Sequence, residues 1–576
     1  AEGMAARLVA EVPGAIDQFE FTHALIQETL RTEVPTSVRV RLHRRIADAI
    51  VKLGGGREGA DVGALAFHYS EAASSGCVDE AVAYAQRAAE QSMQSLAFED
   101  ALLYLERGLT VASLRDEPDP AERAALQLAS ANAYYALRDE DRARQAALMA
   151  IDAAREARPP AAAEFGAAAN LVWQLGTYGP PVEYELGRAL VEEALEVVGD
   201  ELVSTRIQLL DVLAANGGRA FPALVAYSTE AVALARATSD PRLLADALSA
   251  QAFVHGGPDS VEECRGIVNE VAALALDDPR GPLLNFEFRF MVRTRSALRD
   301  GHIMEFRAII EEVRALSRRS AHPDARYLPR LWDGLRLRLE GAWSEAEARA
   351  QDAVDSLSGF DQTFALTHQF VQLVPIRAAQ GRLDELEPLQ AAFTGMNPIL
   401  EYQCMLANTH ACLGRTPEAH DRIAEIVDRH LDGIDRHSEL WFAATSQLAD
   451  ACVMVGDEPR AQVLYDRMAD VTDIIIVNSP SGCDGSFDRV LGRLAGLIGR
   501  WDDADTHFAT GRALEERLQS PPLVARTDLH QAEMLLRARR PGDAARAEQL
   551  LSAAHATAVR LDMHDLLHDI ETLRDQ

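Results

Sequence analysis

The sequence predicts an all-α protein, a right-handed α-solenoid in which short helix pairs are stacked in tandem. Three observations carry this expectation. From about Val78 to the end, apolar segments at helical spacing alternate with short breaks, and no region shows the period-two alternation of a sheet. The breaks share one form, a Gly or charged turn followed by an acidic stretch and an Ala: EGAWSEA at 340–346, LGRTPEA at 413–419, VGDEPRA at 455–461 and IGRWDDA at 498–504. Finally, the glycines at 301, 341, 381, 414, 456 and 499 stand 40, 40, 33, 42 and 43 residues apart, a period that belongs to helical repeats.

Each part of the break has a physical task. Gly takes the left-handed conformation that ends the first helix of a pair. The Asp or Glu behind it sits on the next helix's N-terminus, where the dipole favours negative charge. The Ala lies where two antiparallel helices approach most closely, and a larger side chain would push them apart. Such a pair cannot bury its apolar face alone, so neighbours stack and length counts repeats. Pro159 with Pro160, 179–181, 279–282 and 479–485 read as wider loops between units. The run Ile474 to Val477 has strand character but reads as a buried helix end.

Composition narrows the function. The chain has 576 residues, 48% apolar and 25% charged, which excludes a disordered or collagen-like protein. Its formal net charge of −32 repels phosphate backbones, so direct nucleic-acid contact is disfavoured. Six cysteines without a CxxC pair suit a reducing cytoplasm, and no run has the length and apolarity of a membrane span. The chain opens at Ala1, in the middle of a pattern, so a piece of something longer is expected.

Leu491, Gly492, Ala495, Ala504, Phe508 and Gly511 keep the offsets of the tetratricopeptide (TPR) signature, with Ala495 in place of the usual Tyr; Tyr134, Ala143 and Ala150 keep three of its positions in an earlier unit. Residues 78–576 resemble that family, and periods near 40 imply longer helices than its 34-residue unit. The first 52 residues are different: Lys52 and six Arg balance seven Asp or Glu. FEFTHALIQETL at 19–30 and PTSVRVRLHRRIADAI at 35–50 resemble the end of the winged-helix module in bacterial STAND-type signal-transduction ATPases. LAFHYSEAA at 65–73, the segment 77–109, and GCDGSFDRVLGRLAGLIGRWDDADTHF at 482–508 continue that resemblance into a helical arm. The division it implies is a winged-helix end at 1–52, first helical repeats at 53–116 and a TPR-like superhelical array at 117–576. It also implies an upstream ATPase domain that binds ATP, and an output domain that is either a LuxR-type helix-turn-helix or a nucleotide cyclase. This segment itself cannot form a Walker A loop, because Lys52 is its sole lysine and Leu53 follows it where Ser or Thr is needed.

Several residue groups invite a chemical reading and are better explained structurally. Arg39, Arg41, Arg44 and Arg45 around His43 read as a solvated amphipathic face, and His23 as a structural hydrogen-bonding residue. His564 and His568 share a helix face, as zinc ligands would, but no third ligand is indicated. Cys404, His410 and Cys412 fall on one helix, where the two cysteines, two turns apart, read as core. Trp343 and Trp501 open second helices and should cover a neighbouring repeat. Acidic pairs such as Glu192 with Glu193 and Glu515 with Glu516 read as solvated faces. No catalytic, cofactor-binding or metal residue is named. The expectation is a non-catalytic regulatory arm that binds a protein, a peptide or a small-molecule inducer in an acidic groove, without membrane contact. The competing reading is a helical-repeat, metal-dependent hydrolase built around His564 and His568.

Overall fold

The computed structural model describes residues 8–11, 19–23, 33–53, 61–95, 97–137, 139–176, 181–216, 221–274, 283–318, 323–357, 362–396, 400–478 and 481–575. Among these are 27 α-helices and two small antiparallel hairpins, so the fold is the all-α array that the sequence predicts. The loop expectations at 179–180, 279–282 and 479–480 lie outside the described residues. The chain divides into two compact units, Ala1–Gly199 and Asp200–Gln576.

In the first unit, Val9–Glu11 pairs with Phe19–Phe21, and the helix Thr36–Leu53 follows. Arg41, Arg44 and Arg45 are solvated as expected, yet Leu42 and Ile46 are about as exposed, at 41% and 42%, and only Ala47 of this helix is buried. From Val62–Glu71 through Pro181–Val198 each helix packs on the next. Capping fixes their starts: Asp61, Asp119 and Asp139 each accept a backbone N–H from the first turn that follows them.

The second unit shows the repeat signal in full. All six spaced glycines have positive φ, between 69° and 83°, as a left-handed helix stop requires. Ala346, Ala419, Ala461 and Ala504, one after each of four breaks, have no exposed surface. Leu491, Ala495 and Phe508 are likewise fully buried, and a Cβ on Gly492 would stand 3.0 Å from the Phe508 ring.

Neighbouring pairs stack as expected, and contacts also reach beyond adjacent pairs. Trp343 Nε1 donates to the Leu561 carbonyl at 2.7 Å, across 218 residues, so this ring, which shares a core with Ile376 and Ala379 of the next repeat, also covers a distant helix end. Ser520 Oγ donates to the Leu339 carbonyl at 2.8 Å. A Cβ on Gly341 would meet the Leu561 side chain at 2.8 Å, and one on Gly381 would stand 3.6 Å from His564 Cβ. A bare glycine at the end of a helix thus also lets a later turn of the spiral close on an earlier one.

One correction concerns Ile474 to Val477. Ile475–Asn478 is a strand paired with Gly482–Ser486, and 482–485 is therefore strand, where a wide loop was expected. Ile475, Val477 and Cys483 enter one apolar core with Phe306, Tyr327 and Trp332, while Ile474 and Ile476 enter another with Trp441 and Phe487. Both faces of the strand are buried, so its alternation is invisible in the sequence. The hairpin is a wedge between two cores.

Candidate functional cavity

Side chains from eight helices of the second unit line a cavity of about 1610 Å³: Pro323–Glu340, Gln362–Ala379, Leu400–Cys412, Leu440–Val455, Phe487–Leu497, Pro521–Ala538, Asp543–Leu561 and His564–Arg574. The first six in chain order open their pairs, and Asp543–Leu561 closes one. The hairpin contributes Asn478 and Asp484. Local chemistry fixes each helix start or stop. Ser486 Oγ accepts the Asp488 N–H at 3.1 Å to begin Phe487–Leu497, and Pro521 and Pro522 open the next first helix at positions whose N–H groups are not needed. Gly456, left-handed, ends Leu440–Val455.

The lining is not acidic, contrary to the expectation from net charge. Seven arginines and seven carboxylates line it, along with aliphatic side chains, and no Phe, Tyr or Trp does so among the described residues. Titratable side chains lie one helical turn apart on facing helices: Arg489 and Arg493, Arg526 and His530, Asp565 and Asp569. Arg493 pairs with Asp450 and Arg526 with Asp565, while Arg489 Nη1 stands 3.7 Å from Asp450. Arg489 also donates to the Asp484 carbonyl at 3.2 Å.

Electrostatics follow from this geometry. Burial would push Asp450 up, but Arg493 and Arg489 outweigh it and hold the carboxyl below the usual range. Burial, then Arg493, Arg489 and Arg526, keep His530 neutral far below its ordinary value, and its Nδ1 is buried without an acceptor or donor. Asp569 is pushed up chiefly by burial. Behind the cavity wall Glu515, with no exposed surface, accepts the Ser486 N–H at 3.0 Å and the Thr527 hydroxyl at 2.6 Å, and Arg489 Nε lies 3.9 Å away. Burial raises Glu515 to about 7, which corrects its reading as part of a solvated face.

Other expected sites fall as follows. His564 and His568 both line the cavity; His564 Nε2 is 3.4 Å from Asp562, and no group of three or more metal-ligating side chains occurs among the described residues. Cys404 is core, with no exposed surface. Cys412 is not, contrary to expectation: it is the one exposed cysteine of the six, lies on the cavity wall and has its thiol 3.9 Å from Met454 Sδ. Solvent reaches it only within the cavity, and the surrounding protein, then Asp450, raises that thiol to about 11. His410 is buried with Nε2 3.4 Å from Glu387. Trp501 packs half-buried on the core that contains Phe508. The arginines at 489, 493 and 526 were missed in the sequence, although the i, i+4 Arg pair in RVLGRLAG at 489–496, an otherwise apolar run, was a usable signal.

No known family profile matches the chain. An uncharacterized protein, R02095, of Rhizobium meliloti (strain 1021) is 37% identical over 111 residues, 19% of this chain, and the match spans about a tenth of that relative's length. Among solved structures, the APC/C hetero-tetramer Cut9-Hcn1 aligns with 95% of this chain and 94% of its own, at a TM-score of 0.50 and 15% identity. Yeast Tom70 aligns with 86% of this chain and 91% of its own, at a TM-score of 0.27 and 12% identity. The similarity to Cut9-Hcn1 is one of fold, a TPR-type helical array.

Proposed function

We propose that this chain is a non-catalytic sensing arm of a bacterial signal-transduction ATPase, a transcriptional regulator, which receives a ligand or protein partner in the cavity of the second unit. The observation that carries the reading is the cavity itself. At about 1610 Å³ it exceeds the 300–1,000 Å³ usual for small-ligand clefts, and its wall carries three ion-paired arginines, Arg338, Arg489 and Arg493, whose side chains are at least nine-tenths buried. The TPR-type fold supports an interaction role. The winged-helix reading of residues 1–52 is supported by the short hairpin followed by the helix Thr36–Leu53, and joins the arm to an ATPase upstream.

Two measurements test this. Cys412 reports on the cavity: its raised thiol should alkylate slowly with N-ethylmaleimide, and a fraction of cell extract that holds the sensed molecule should slow it severalfold further. No protection by any fraction, protein or small-molecule, would contradict sensing at this place. The reading frame before Ala1 in the native gene should encode a Gly-Lys-Ser/Thr loop; its absence would sever the link to an ATPase.

A further inference from the structure

Resting on the sensing reading, we infer that the cavity takes a small aliphatic ligand by its oxyanionic head, a carboxylate or phosphate seated between Arg493 and Arg526. The Arg493 side chain is only 9% exposed, yet it lines the cavity and commits a single nitrogen to Asp450; Arg526 commits a single nitrogen to Asp565. A guanidinium carries five N–H donors in a planar fork, so most of each fork is left for a further acceptor. Arg489, also nine-tenths buried, backs the pair from one turn away, and all three guanidiniums lie close enough to act on His530.

Carboxylates stand among these guanidiniums: Asp450 and Asp565 pair with Arg493 and Arg526, and Glu533 also acts on Arg493. What favours an anion is the set of unused N–H donors, because charge-assisted hydrogen bonds strengthen where water is scarce. The rest of the wall decides the body of the ligand. Val371, Val374, Met405, Met454, Leu523 and Leu529 line it, and no Phe, Tyr or Trp among the described residues offers a broad stacking platform for a nucleobase or sugar. An alkyl chain with an oxyanion head matches both parts.

The test uses calorimetric titration of the whole chain with octanoate, octyl phosphate, octanol and octylammonium, each below its aggregation limit. Both anions should bind at least tenfold more tightly than the alcohol and the amine. Arg493→Gln should lose at least tenfold in anion affinity with alcohol binding unchanged. Asp450→Asn, which frees Arg493, should gain severalfold, a direction that a merely damaged fold would not give. Equal binding of all four compounds, no anion binding, or an Arg493→Gln variant that binds as the parent does would overturn the inference. Cys412 protection by a small-molecule extract fraction, if retained in that event, would leave the sensing reading standing without this ligand class.

Discussion

Glu439→Ala should destabilise the Asp200–Gln576 unit by roughly 3–5 kcal/mol in urea unfolding, because it strips the partner from a buried cation. Arg295 is 1% exposed and ion-paired with Glu439, 144 residues away, and it donates to the Ala252 carbonyl at 2.6 Å. Arg299, also buried, lies over the Phe442 ring at 4.7 Å and donates to the Gly256 carbonyl at 2.9 Å. Burial and the neighbouring Arg295 already lower Arg299 to about 10. Removing this carboxylate leaves two buried guanidiniums side by side. Replacing both partners by apolar residues, Arg295→Met with Glu439→Leu, should recover most of the loss, since the penalty is the unpaired charge more than the missing pair. A Glu439→Ala protein as stable as the parent would show that Arg295 reaches water.

The second large effect is a pH dependence. Glu515 titrates near 7 in the folded chain against an ordinary value of 4.5. Its folded state therefore holds the proton more strongly than its unfolded state. The contribution to stability is full below about pH 4.5, declines as pH rises, and is lost above about pH 7. The shift corresponds to roughly 3 kcal/mol over that window. Glu515→Gln keeps an acceptor for the Ser486 N–H and cannot ionise, so the difference in stability between variant and parent should grow by this amount from pH 4.5 to 7.5, in favour of the variant. A constant difference would mean that Arg489, 3.9 Å away, already keeps the carboxylate charged.

Much of this architecture is local chemistry and so could be read from the chain. A left-handed stop needs Gly at the position itself, and a close helix crossing needs Ala, whatever lies elsewhere; the 301–499 glycines and their alanines behaved accordingly. The cavity is different. It joins Arg338 to Arg574 through helices whose rotation about their own axes is set by packing, which no spacing reveals. Cys404 and Cys412 illustrate the point. Eight residues advance roughly 800° around a helix, which leaves them about 80° apart, enough to put one in the core and the other on the cavity wall. The strand at Ile475 escaped for another reason, because two-sided burial erases the contrast that marks a strand.

The Trp343 contact with Leu561 also sets a timetable for biosynthesis. A nascent solenoid can usually settle unit by unit as it leaves the ribosome. Here the ring of Trp343 waits for a partner 218 residues further on, which at typical elongation speeds means roughly 10–40 s with apolar surface uncovered. A contact between residues so far apart in sequence slows the final closure, and the nascent protein would lean on chaperones until the turn at Leu561 arrives.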